Sequence, residues 1–176
     1  KPTWGQVFSD TIHSGIYVLE PKVFDYIAAD RSVDFSGDVF PALLDDGEKL
    51  VGAVLDGYWE DVGTLPAYVR AHKDILDGRV QVGIPGFEVS DGVFIAEGAE
   101  VHPDAVLAGP AVVGDNCFVD AGARLGEYTV LGQGVRVRSG AELERTVVHE
   151  NAYLGESAKL RGTVVGRAAD LRRNAR

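Results

Sequence analysis

Counting by six from Val89 lands on Ile95, Val101, Leu107, Val113, Val119, Leu125, Leu131, Val137 and Leu143 without one polar interruption. After a five-residue step the series resumes at Val148, Leu154 and Leu160, and after a second at Val165 and Leu171. A fixed period of this kind constrains a fold more than any other sequence feature, because each repeat buries its apolar face only against its neighbours. Two residues before each position stands a small or β-branched residue, among them Ala99, Ala105, Ala111, Cys117, Ala123, Thr129 and Ala141. Residues two apart in a strand share a face, so each hexad reads as a short strand pointing one large and one small side chain inward. The residues between form corners such as Gly114-Asp115-Asn116 and Gly132-Gln133-Gly134, rich in the types that accept positive φ. An amphipathic helix of chance spacing does not explain both the glycine content and the strict period.

Short strands turning one way stack into parallel sheets about 4.8 Å apart. The repeat resembles the hexapeptide repeat of the left-handed parallel β-helix; that resemblance implies three sides per coil and left-handed winding. About fifteen hexads then give about five coils, or roughly 24 Å of prism. Taking hexads in threes puts His102 on one edge with Asp120 and Arg138, and His149 on another beside Gly132 and Gly166. An uncovered coil end exposes unpaired backbone groups, so something is expected to cover the edge after Arg176. Cys117 reads as a small, inert inward residue.

Residues 1–78 follow a different grammar. Ile12 to Leu19, Leu50 to Leu55 and Tyr58 to Val62 read as strands, while Pro21 to Ile27 and Phe35 to Leu44 read as helical. Thr64 is placed to cap a helix with apolar positions Leu65, Tyr68, His72, Ile75 and Leu76, and Gly78 to end it. The expected organisation is an α/β fragment over 1–78 followed by an all-β domain over 79–176.

Composition narrows the function. The formal net charge is -10, which argues against a general nucleic-acid binder, since such proteins gather Lys and Arg against phosphates. Any phosphate site must be local. One cysteine excludes an internal disulfide, and no apolar run reaches the length of a membrane span or secretory signal, so the expected setting is soluble and cytoplasmic. The chain contains no methionine and opens on Lys1, which suggests a piece of something longer.

Three stretches carry a second resemblance. Lys1-Pro2 resembles the end of a Glu-Lys-Pro motif, IHSGIYVLEP (12–21) an Asn-x-Gly strand, and GYWEDVGT (57–64) a Trp-x-Asp-(Ile/Val)-Gly motif. In this order, before a hexapeptide repeat, they resemble sugar-nucleotide pyrophosphorylases, most nearly bacterial mannose-1-phosphate guanylyltransferases. The resemblance implies that 1–78 is the C-terminal part of a nucleotidyltransferase catalytic domain, its sugar-phosphate side. It further implies the substrates, a sugar 1-phosphate and a nucleoside triphosphate, and the products, an NDP-sugar such as GDP-mannose and pyrophosphate. Mg²⁺ is the implied cofactor, with Asp61 as its ligand. Lys1 would neutralise the sugar phosphate, and Gly15 and His13 would meet the sugar hydroxyls. His13 stands where the family has Asn, a bulkier group that titrates near neutrality, so the sugar is left open. The family's Gly-x-Gly-Thr-Arg nucleotide signature does not occur here. The segment is accordingly expected not to turn over by itself. The β-helix is expected to serve homo-oligomerisation and support. Two other readings stand beside this one: a hexapeptide-repeat acyltransferase using His102 or His149, and a non-catalytic assembly or regulatory module.

Overall fold

The computed structural model describes Ser9 and residues 11–176. Packing divides the chain into two units, residues 1–59 and 60–176.

The second unit is dominated by the repeat. Its strands form three sheets in which strands from successive coils pair in parallel, five on the first face, five on the second and four on the third. This is a three-sided parallel solenoid of about four turns, consistent with a left-handed β-helix. Registry follows the hexads: Val101 pairs with Val119 and Val119 with Val137, while Leu107 pairs with Leu125 and Leu125 with Leu143. The inward residues form one continuous core from Val113 to Val165, each at most 6% exposed. Cys117 belongs to it; its thiol donates to the Gly132 carbonyl at 3.0 Å, and burial raises its pKa.

Two sequence expectations need correction. Val89 is not the first inward residue. It lies in β1 (Phe87–Ser90), which runs antiparallel to β2 (Val93–Ile95) and leaves Val89 56% exposed. The solenoid therefore starts one strand later, which leaves fourteen strands, four full turns and two further strands. The two five-residue steps occur at one corner, between the third and first faces, in consecutive coils. There Gly126-Glu127-Tyr128 is replaced by Glu144-Arg145 and then by Arg161-Gly162.

The middle residue of each strand points outward, and the three faces differ. The second face carries Glu100, Phe118, Arg136, Tyr153 and Asp170, and the third Val106, Arg124, Glu142 and Lys159. The first face carries an unbroken apolar ladder, Phe94, Val112, Val130, Val147 and Val164. Of these, Val112 and Val147 are 7% and 4% exposed.

A twelve-residue helix, Leu65–Leu76, precedes the solenoid within the same unit. Thr64 caps it, accepting from the Ala67 amide at 3.3 Å. Pro66 occupies the first turn, where its missing N–H leaves no bond unmade. Gly78, at φ 73°, closes the C-terminal end by donating to the Ile75 carbonyl at 2.9 Å. These ends match the sequence reading.

In the first unit Pro21–Tyr26 forms a 3-10 helix, and Phe35–Val39 a π turn that continues into a short α-helix, Phe40–Asp45. Asp34 caps the π turn, accepting from the Gly37 amide at 2.6 Å. A small core of Val23, Val39 and Leu43 packs with Tyr26, Ile27, Val33, Phe35 and Phe40. The strands expected over 12–19, 50–55 and 58–62 do not form. A strand exists by hydrogen bonding to a neighbour, and none pairs with these segments among the described residues. Val18, an apolar position of the first segment, is 99% exposed.

No helix among the described residues is long and apolar enough to cross a membrane.

Candidate functional site

The four residues singled out by sequence fall in different places. Lys1 lies outside the described residues. His13 and Gly15 belong to the first unit and Asp61 to the second.

His13 is exposed and sits in an aromatic group. Its ring stacks on Tyr17 with centroids 5.0 Å apart and faces Phe40 edge-on at 6.4 Å. Tyr17 in turn stacks on Phe35 at 5.5 Å. The Phe35–Asp45 helical segment thus supplies the floor against which His13 and Tyr17 are ordered. Gly15 has φ 79°, and a β-carbon there would meet nothing within 4 Å. Conformation, not crowding, accounts for the glycine, because an L side chain is disfavoured at that φ whatever the space. Trp59 donates from its indole nitrogen to the Ser14 carbonyl at 3.4 Å, a contact within the first unit.

Asp61 is exposed. The residue before it, Glu60, pairs with Arg70 of the Leu65–Leu76 helix at 2.7 Å, and Thr64 caps that helix three residues on. The carboxylate of Asp61 therefore stands on a short segment held at both ends by the helix. Beside it, a β-carbon at Gly63 would touch this carboxylate, 3.4 Å from Asp61 Oδ1. Among the described residues no three His, Cys, Asp or Glu side chains come together as a metal-holding group.

The Leu65–Leu76 helix is pinned to the solenoid at two points, the second through Lys73, Asp77 and Tyr128, which the sequence reading passed over. Near its N-terminal end the Tyr68 hydroxyl lies 3.3 Å from His149 Nε2, the two rings nearly parallel at 8°. Burial, and then the charge of Glu150, raise the Tyr68 pKa. Near its C-terminal end Lys73 bonds to Asp77, and Tyr128 donates to the other oxygen of that carboxylate at 2.9 Å. The Asp77 pKa is lowered, first by the Lys73 bond and then by Tyr128. The sequence signal for this contact was present in the middle residues of the strands, which are apolar on one face only.

The two solenoid histidines keep to separate edges, as the hexad count implies. His102 follows Val101 on the second face, with its Nδ1 accepting from the Asp104 amide at 3.1 Å. Arg138 and Asp120 beside it form an ion pair at 3.0 Å. His149 follows Val148 on the first face and is engaged by Tyr68.

An acidic motif ahead of a capped helix, followed by a hexapeptide-repeat β-helix, defines a two-part protein in which a helical segment leads into a solenoid. The chain belongs to the GMPPB C-terminal domain family, which residues 89–176, half of its length, match, and residues 1–78 match the nucleotidyl transferase domain. It is 32% identical over 162 residues to a UTP--glucose-1-phosphate uridylyltransferase of Synechocystis sp., covering 91% of this chain and 42% of that protein. It is 39% identical over 139 residues to a mannose-1-phosphate guanylyltransferase of Mycobacterium tuberculosis, covering 78% of this chain and 38% of that protein. A glucose-1-phosphate adenylyltransferase of Bacillus cytotoxicus is 29% identical over 172 residues, covering 90% and 43%. The chain thus spans about two fifths of the length of these curated relatives.

Proposed function

We propose that this chain is the sugar-phosphate side of a nucleotidyltransferase that makes an NDP-sugar and pyrophosphate from a nucleoside triphosphate and a sugar 1-phosphate. In this reading 1–78 is the C-terminal part of the catalytic domain. The β-helix over 79–176 provides homo-oligomerisation and support. The family match over 1–78 carries the reading. The named relatives differ in base and sugar but share one type of transfer. GDP-mannose is the product we favour, because the guanylyltransferase shares the highest identity of the three.

In the reaction an oxygen of the sugar 1-phosphate forms a bond to the α-phosphorus of the triphosphate, and the bond from that phosphorus to the bridging oxygen breaks, releasing pyrophosphate. Such transfer depends on positioning and charge neutralisation. Mg²⁺, the implied cofactor, would supply charge neutralisation at the phosphates. This ion is commonly held by one or two carboxylates plus phosphate oxygens and water, so a single exposed carboxylate on an anchored segment fits the need. Asp61 is that ligand. Lys1 places a compact cation at the sugar phosphate, Gly15 lets backbone approach the sugar, and His13 bonds a hydroxyl. The lone cysteine, buried and unpaired, suits a reducing compartment such as the cytosol.

The test is Asp61→Asn in the complete enzyme, with turnover measured for GTP with mannose 1-phosphate, UTP with glucose 1-phosphate and ATP with glucose 1-phosphate. Turnover with one pair is expected to fall by orders of magnitude while thermal melting stays put. Unchanged turnover would favour a non-catalytic assembly module.

A further inference from the structure

The three faces of the solenoid use their outward side chains differently. The first carries the apolar ladder beside which Tyr68 of the Leu65–Leu76 helix meets His149. On the third, Glu142 is paired with Lys159 at 2.9 Å. The second alternates charge and aromatic ring along its outward column, in the order Glu100, Phe118, Arg136, Tyr153, Asp170. Phe118 and Tyr153 are 36% and 37% exposed. The Arg136 guanidinium lies over the Phe118 ring, 5.4 Å from its centroid. Neither Glu100 nor Arg136 has an oppositely charged partner among the described residues, whereas Asp170 is held by Arg172 at 3.0 Å.

That order of side chains is complementary to itself. A two-fold axis running along the strands through the Phe118 rung reverses the column, so that Glu100 of each copy meets Arg136 of the other and the two Phe118 rings face each other. A two-fold along the column would instead oppose Glu100 to Glu100 and Arg136 to Arg136, and a reversal centred on Arg136 would oppose that arginine to itself and Glu100 to Asp170. Like charges so placed work against association. A reversal centred on Tyr153 sets Arg136 against Asp170, whose carboxylate Arg172 already holds. The register centred on Phe118 is also the one with room for a ring: a shallow hollow of about 450 Å³ lies between the first two rungs, lined in part by Glu100, His102, Phe118 and Asp120. At the corner beside it Asp120 would face its own copy, its charge already balanced by Arg138 at 3.0 Å.

We propose that a second copy of this chain docks on the second face, in an isologous contact centred on Phe118 and bracketed by two Glu100–Arg136 ion pairs. The planar guanidinium suits a carboxylate through two parallel hydrogen bonds, and the paired rings supply apolar burial between the charges. Three rungs at a spacing of about 4.8 Å cover well under the roughly 800 Å² per partner of a standard interface, so the contact is a weak one. The inference rests on the self-association of the β-helix proposed above and names its surface; it does not depend on the transfer reaction.

The experiment is sedimentation velocity of the 176-residue chain from about 5 to about 500 μM, a range in which weak dimerisation is visible. The wild type is expected to form a dimer as concentration rises. Glu100→Arg and Arg136→Glu each place like charges across the two-fold and should raise the dissociation constant at least about tenfold. An equimolar mixture of these two variants restores opposite signs at both pairs and should dimerise about as well as wild type. Phe118→Ala removes the facing rings and should weaken the dimer at least about tenfold. All three side chains point outward, so circular dichroism is expected to show each variant folded. A wild-type dimer that both charge variants leave unchanged, or a mixture that dimerises no better than its components, would overturn the Phe118 contact while leaving self-association through another surface standing. A wild type that stays monomeric at about 500 μM would overturn this contact and self-association together.

Discussion

Residues 11–59 and the solenoid share a chain but solve the burial problem in opposite ways. In the solenoid every inward residue packs on its counterparts one coil above and below, 17 or 18 residues away in sequence, and the core runs unbroken from Val113 to Val165. In the first unit the core is Val23, Val39 and Leu43 with a few aromatic neighbours, while Ile12, Ile16, Val18, Val51 and Val54 lie exposed. A repeat carries its pairing partners within itself, so its strands form wherever the repeat is present. A segment whose apolar alternation needs a partner strand remains unpaired where none is within reach.

That contrast predicts its largest effect in hydrogen exchange. Amides of Val113, Leu131 and Val148, in ladders on both sides, should exchange orders of magnitude more slowly than those of Ile12 to Leu19 and Leu50 to Leu55. Comparable rates would erase the distinction between the two regions.

Core truncation gives the next effect. Leu125 is 1% exposed and Leu44 60% exposed. Leu125→Ala should cost about 2–5 kcal/mol in chemical denaturation of the solenoid, and Leu44→Ala about 0.5 kcal/mol or less. Similar costs at the two sites would mean that the first unit holds a larger core than its packing indicates.

A smaller change tests the helix contact. Tyr68→Phe removes a part-buried hydroxyl from His149 and should lower stability by about 0.5–1.5 kcal/mol. His149→Ala in the same background should then add little through that hydroxyl, so a double-mutant cycle separates it from ring stacking.

The smallest effect is electrostatic. Because the folded-state pKa of Asp77 lies below its unfolded value, its contribution is fully present above the unfolded carboxylate range, about pH 4, and is lost as pH falls through the lower folded value. Lys73 is raised, chiefly by its bond to Asp77, so its share is present below the usual lysine range and lost as pH rises through the higher folded value. Asp77→Asn should flatten the acid limb of a melting-temperature profile slightly without moving the value near pH 7 by more than a degree or so, since exposed pairs contribute little.

Much of this architecture was legible in the residues. Hexads from Ile95 onward named the inward column, and grouping them in threes placed Asp120 beside Arg138 and His149 beside Gly132, as the registers show. Thr64 and Gly78 marked the ends of the helix they bound. The reading failed at Val89, because period alone does not reveal strand direction, and the β1 strand turns back against the next. It failed again over 12–19, where alternation indicates a face but supplies no neighbour. Of the candidate site, Asp61 was recognised as a motif, whereas the Glu60–Arg70 pair that anchors its segment spans ten residues and left no periodic trace.

The sequence by itself determined the solenoid, since a six-residue rhythm of large and small side chains specifies both what faces inward and how often the chain must turn. Only the tertiary structure decided which outer face receives the helix and what gathers beneath it. Tyr68 and His149 are 81 residues apart, and Lys73 and Tyr128 are 55 apart. Each pair meets because burying an apolar ladder draws the helix onto it, a preference set by the summed surface of five rungs and not by any one of them.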